Sequence, residues 1–466
     1  MKRAGGFAVV GLFSVSCAPA NAPPSYLAPV RAPTVATPAM TNTPAAEPGN
    51  DSASEQALQD KLETALAYVS KIRNLPARSA VRGRLMGRAE IERYISTQLD
   101  AETPKDVMQA TEALLYGFGT VDADFDYRAS VIALMSSQLL GFYDPKQKTF
   151  FVGGDLAGEE ADVTLWHELV HALQDQHYDL THLGDWQPDL GDSQAAVHAL
   201  AEGDATSSML DAMMKPRGAT ALDVPESLMR AQSVLGSAAL TAPPVLVRSL
   251  LAPYVDGLAF TNYLRRRGGF AAVDAAWRAL PASTEQLLHP EKFLSREAPL
   301  IVPLPPAPAY APELHERFHD VMGEQTLRLF FEEWLPAATA ATAASDWGGD
   351  RLSVFSDDAR KRWAIGWHLR FDSVAAAERA FVAFARSAPL TDRGVTRSPV
   401  AEAAPSLKQL GDKVCRDRHT QGPLALVRHG RDLGVGVGPF ARTTPGVAVD
   451  PDCGDALHWA TQIAND

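Results

Sequence analysis

The chain is 466 residues long, 46% hydrophobic and 21% charged, which suits a soluble globular protein with room for two domains and a sizeable core. Its formal net charge of −13 at pH 7 argues against a nucleic-acid partner, since phosphate backbones are bound by neutralising cations. Three Cys without a C-x-x-C spacing exclude a cysteine-based zinc or redox motif.

Residues 1–17 read as a signal segment. Lys2 and Arg3 form a positive start, and Gly5 to Val15 is an apolar run too short to span a bilayer as a mature helix. Two processing schemes are open. Ser14-Val15-Ser16-Cys17 resembles a lipoprotein box, with Cys17 lipidated and the protein attached to a membrane. Ala18-Pro19-Ala20 or Ala20-Asn21-Ala22 suits ordinary cleavage and release. Either way the expected location is the cell envelope or beyond it. Residues 18–53, rich in Pro, Ala and Thr, are expected to be a flexible tether because they hold too few large apolar residues to form a core.

From Glu55 the apolar spacing becomes helical, through Leu58, Leu62, Ala65, Leu66 and Val69. Further helices are predicted at about 88–99 and 104–117. A hairpin is expected over 139–152, with its turn at Asp144-Pro145-Lys146-Gln147. Its outer edge is a candidate for pairing with an extended peptide, or serves only to cover the core.

Thr164 to Leu173 carries H-E-x-x-H in an apolar setting. On a helix, His167 and His171 are separated by about 40° in azimuth and about 6 Å along the axis, so both can face one tetrahedral Zn²⁺. Glu168 lies beside the first His, where a general base for metal-assisted hydrolysis is needed. The third ligand must come from elsewhere. His177 stands six residues after His171, but Gln174 occupies the position where a Gly would turn the chain back, so a continuing helix carries His177 away. His182 lies further along. The apolar segment Ala195 to Thr206 offers Glu202 and His198; a carboxylate on an Ala-rich buried helix needs a partner, which makes Glu202 the leading ligand. Asp204, with His198, is expected behind the ligands, Asp204 accepting a hydrogen bond from a ligand His.

Tyr254 to Leu264 reads as a helix ending near Gly268, and Ser283 starts a capped helix that His289-Pro290 stops. Tyr254 and His289 are both candidates to stabilise an oxyanion. Residues 301–312 form a Pro-rich linker between a domain at 54–300 and another at 313–466. In the second, a helix is expected over 313–332. It includes another H-E-x-x-H, His315 to His319, whose Arg317 opposes metal binding. Strands follow at 347–355 and 362–371, a helix at 374–387, and strands at 424–427 and 433–437. Gly348-Gly349 is a strand-entry turn, since no Lys-Ser/Thr follows as in a phosphate loop. In an exported chain Cys415 and Cys453 are expected to form a disulfide.

The stretch His167 to Leu180, with Ala199 to Thr206, resembles a family of exported bacterial gluzincin-type metallopeptidases. So do Gly141 to Pro145, Gly268-Gly269-Phe270 with Ser283 to Lys292, and Trp347 to Arg351. The resemblance implies zinc on two His and one Glu, and a mostly helical catalytic domain. The expectation is therefore an α+β protein: a mostly helical zincin-like domain with a short hairpin, followed by a small α+β module. Its expected activity is zinc-dependent hydrolysis, with a peptide or protein as substrate. An amidase acting on cell-wall peptide differs only in substrate. The rival reading is an exported lipoprotein that keeps zinc for stability and acts as a binding module.

Overall fold

The computed structural model describes residues 51–138, 141–153, 159–182, 187–225, 242–387, 411–418, 421–442 and 452–466. The signal segment, the cleavage sites, Cys17 and the tether up to residue 50 lie outside the described residues. The chain is α+β. Helices α1 (Asp51–Arg73), α2 (Arg88–Glu102), α3 (Lys105–Gly117) and α4 (Tyr127–Gln138) come first, with strand β1 (Arg82–Met86) between α1 and α2. The hairpin β2 (Gly141–Asp144) and β3 (Thr149–Gly153) precedes α5 (Glu159–Tyr178) and α6 (Gly191–Met214). The long α7 (Pro244–Arg278) is followed by two short helices, α8 (Thr284–Leu288) and α9 (Pro290–Ser295). The remainder is β4 (His315–Asp320), α10 (Gly323–Phe331), α11 (Ala337–Ala344), β5 (Trp347–Ser356), β6 (Trp363–Phe371), α12 (Val374–Ala385), β7 (Lys413–Arg416), β8 (Leu424–His429), β9 (Asp432–Phe440) and α13 (Cys453–Asn465).

Two sheets result. The small one runs β1-β3-β2, with β1 parallel and β2 antiparallel to β3. The large one runs β4-β5-β6-β9-β8-β7 and is antiparallel throughout. In the first helix Leu62, Ala65, Leu66 and Val69 are buried, as the helical spacing requires, and pack with Leu165, Leu169, Val170 and Leu173 of α5. Helix α6 is buried on nearly all sides, so it forms the axis of the helical part. It crosses α7 at Gly203 and Gly257. A methyl group at either position would run into the other helix's backbone, so only glycine allows this approach.

Several expectations are revised. The segment expected as a helix over 313–332 is a strand followed by a helix. In β4 the alternating residues Phe318 and Asp320 are buried, a period of two, and pairing with β5 satisfies the backbone. The positive φ of Gly323 marks the change of direction into α10. The expected stop near Gly268 is a break, non-helical at Gly268 and Gly269, after which the helix resumes to Arg278. His289-Pro290 ends α8 but also starts α9, with Pro290 in the first turn, where its missing N–H costs nothing.

The Pro-rich run 301–312 lies on the sheet. Leu300 N–H donates to the Gly348 carbonyl at 2.6 Å, and the Trp459 indole N–H donates to the Pro306 carbonyl at 2.8 Å. The division expected there is bridged by a common core, in which side chains of α2–α4 pack with those of β5, β6, β8 and β9. Phe118 meets Phe330 and Trp367 edge-on, at 5.0 and 5.9 Å between ring centres. Cys415 and Cys453 form a disulfide, which joins β7 to the start of α13.

Candidate metal centre

Helix α5 turns His167 and His171 towards α6, where Glu202 meets them. His167 Nε2 lies 3.0 Å from His171 Nε2 and 3.1 Å from Glu202 Oε2, and His171 Nε2 lies 3.5 Å from the same oxygen. All three side chains are buried. Three donor atoms thus converge on one small volume, and the group could hold a metal ion. Ligands about 2.0–2.2 Å from a tetrahedral zinc stand roughly 3.3–3.6 Å apart, so little adjustment is needed for this donor set to close on that ion. Among the described residues the group has three donors, which fits a centre with one position left for a small molecule.

The electrostatics follow from the burial. Burial disfavours the His167 cation and lowers its pKa, with Glu202 opposing the shift. Burial acts the same way on His171, but the charge of Glu202 prevails and raises it to about 9. Burial alone would raise Glu202, yet His171 and the hydrogen bond from His167 hold it well below the usual carboxylate range. His198, one turn before Glu202, reaches its other oxygen, Oε1, at 3.2 Å. It therefore braces Glu202 rather than joining the three converging donors.

Glu168 is buried beside the two His. Its Oε2 accepts the backbone N–H of Tyr143 at 2.9 Å, so strand β2 holds the carboxylate. This donor was invisible in the sequence because it depends on how β2 packs against α5. It also commits an outward N–H of β2, and all four residues of that strand are buried, so the hairpin serves as a wall of the site. The Tyr254 ring, from α7, stacks on the His167 ring at 5.9 Å between centres. His289 is directed elsewhere: its Nε2 lies 2.9 Å from Glu324 Oε1. The Glu324 hydrogen bond also raises its pKa.

Asp204 reaches the site through an intermediary. His171 Nδ1 lies 2.8 Å from Gln174 Oε1, and Gln174 Nε2 donates to Asp204 Oδ2 at 3.1 Å and to the Ala201 carbonyl at 3.0 Å. The direct Asp204–His contact expected from the sequence is thus replaced by one through Gln174. Asp204 also accepts from the Arg73 Nε–H at 2.6 Å and from the Trp277 indole at 3.0 Å. Gln174 was legible in principle, because a residue three positions after His171 shares its helix face. Two other His follow the motif, His177 and His182. His177 donates to the Pro76 carbonyl at 2.7 Å, and His182 closes the 3-10 turn Leu180–His182.

The second H-E-x-x-H lies in β4, where residues four apart are about 13 Å apart along the strand and cannot share an ion as a helical pair would. Its Glu316 pairs with His319 at 2.7 Å. A second carboxylate group, Glu285, Glu297 and Asp372, surrounds the Lys292 ammonium at 2.6–2.7 Å, so a cation of the chain itself already occupies its centre.

A family model described as a domain of unknown function (DUF8575) matches residues 312–444. That segment covers β4 through β9 and none of the residues of the metal centre. No curated protein and no solved structure matches the chain.

Proposed function

We propose that this chain is a zinc-dependent hydrolase that cleaves peptide bonds. The observation that carries the proposal is the convergence of His167 Nε2, His171 Nε2 and Glu202 Oε2 within 3.0–3.5 Å, next to a buried Glu168. A zinc ion bound there would supply Lewis-acid polarisation and make water acidic enough to act as a nucleophile near neutral pH. Glu168, fixed by the Tyr143 N–H, accepts the proton that water loses and hands it to the departing amine nitrogen. Tyr254 is the nearer of the two oxyanion candidates, since it stacks on His167 while His289 is engaged with Glu324. The Cys415–Cys453 disulfide supports an exported location, where such bonds persist. The signal segment and a lipidated Cys17 are proposed on sequence grounds. No helix among the described residues is long and apolar enough to cross a membrane.

The test pairs metal content with activity. Wild type and Glu168→Gln should each carry about one zinc per chain, and only wild type should cleave unfolded protein substrates. Zinc in both with equal cleavage by both would remove Glu168 from the chemistry. Zinc in both with no cleavage by either would favour a structural centre in a binding protein. No zinc in either would end the proposal.

A further inference from the structure

We propose that Gln174 is a positioning residue that keeps His171 Nδ1 protonated, so that Nε2 is the nitrogen that meets a metal beside His167 and Glu202. The inference rests on the zinc-site reading above. A glutamine amide can be read either way round until its neighbours decide. Here they decide it. One end of the Gln174 amide faces two acceptors, the Ala201 carbonyl at 3.0 Å and Asp204 Oδ2 at 3.1 Å. That end must be the NH₂. The other end, 2.8 Å from His171 Nδ1, is then a pure acceptor, so Nδ1 carries the hydrogen.

The keying is itself locked. Asp204 is fully buried and also accepts from Arg73 on α1 and Trp277 on α7, so it has no freedom to turn and reverse the amide. Arg73 extends the chain to Asp274 at 2.6 Å. Four helices, α1, α5, α6 and α7, therefore determine which nitrogen of one imidazole faces the centre. His167 has no such anchor: its buried Nδ1 lacks a hydrogen-bond partner among the described residues. The site thus has one orientationally fixed His and one held by packing against Tyr254.

The experiment combines two readouts on the full mature chain. Histidine side-chain nitrogen NMR of the wild type reports the protonation of each His171 nitrogen with and without zinc. Zinc dissociation constants come from competition with a chromophoric chelator, for wild type and for Gln174→Met, which keeps the side-chain length and removes both polar ends. The expected results are a protonated Nδ1 and zinc-coordinated Nε2 on His171, and zinc binding weakened about 10–100-fold in the variant, the range typical of residues behind a ligand. Coordination through His171 Nδ1, or a folded variant binding zinc within twofold of wild type, overturns the inference while leaving the zinc site standing. A wild type that takes up no zinc overturns both. The NMR arm needs no variant, so an unfolded Gln174→Met does not shield the proposal.

Discussion

Replacing Gly203 with alanine tests whether the α6–α7 crossing sets the position of Glu202. Two effects oppose each other. Alanine inside a helix is favoured over glycine by about 1 kcal/mol. Against that, the new Cβ would overlap the carbonyl carbon, carbonyl oxygen and Cα of Gly257. These are backbone atoms of a buried helix and cannot rotate away, so relief requires the two helices to separate. Overpacking of this kind costs typically about 1–3 kcal/mol, and here backbone must move, so the cost falls at or beyond the upper end and the net change should be a loss of about 2 kcal/mol or more. Glu202 is the preceding residue and would move with α6, away from His167 and His171. Urea unfolding should show the lost stability, and chelator competition should show weaker zinc binding. Gly87→Ala is the control, because a methyl group there meets nothing within 4 Å. If Gly203→Ala matches or exceeds wild-type stability and keeps wild-type zinc affinity, the crossing does not position the ligand.

Two further predictions concern the large sheet. Burial pushes Asp350 up to about 7, although it accepts from the Trp367 indole and from the Met322 and Gly323 N–H groups. Between the ordinary carboxylate range and that value the native state keeps a proton the unfolded state has lost. Stability therefore falls as pH rises through this window, by up to about 1.4 kcal/mol per pH unit from this group. Asp350→Asn should flatten the slope of urea-unfolding stability between pH 4.5 and 6.5; parallel slopes for variant and wild type would show that Asp350 ionises freely. The disulfide spans 38 residues of sequence. By loop-closure entropy its removal in a Cys415→Ser/Cys453→Ser variant should cost about 4 kcal/mol, while zinc stoichiometry stays at wild-type level. A shift below about 1 kcal/mol would mean that packing of α13 on β8 and β9 alone holds that end.

The parts of the candidate site legible in the sequence were those that local geometry dictates. His167 and His171 needed only the 3.6-residue repeat, and Glu202 stood out as an acid within an Ala-rich helix. The hairpin, the capped start at Ser283 and the strands from Trp347 onward were carried by turn chemistry and alternation. What escaped depends on packing across elements. The Tyr143 N–H that holds Glu168 belongs to a backbone and has no letter of its own. Arg73 lies 131 positions from Asp204, and no periodicity links them. The helix expected over 313–332 failed because pairing with β5, which arrives later in the chain, decides the state of β4. The Pro-rich run was equally ambiguous: its composition suits a linker, but Trp459 turns it into a layer over the sheet.

That common core has a consequence for the order in which the molecule can be completed. Arg442, just after β9, pairs with Glu112 of α3, 330 positions earlier. The Arg418 guanidinium reaches the Gly117 carbonyl at the end of the same helix, 301 positions earlier. At ordinary synthesis rates α3 emerges roughly 15–65 s before its partner does. For most of that interval Phe118 and its neighbours have no sheet to cover them. The early helices must therefore wait, shielded or transiently misassociated, until almost the last strand exists. A nonsense codon between α7 and β9 would leave the largest apolar surface of the protein open, even though every residue of the metal centre had been made.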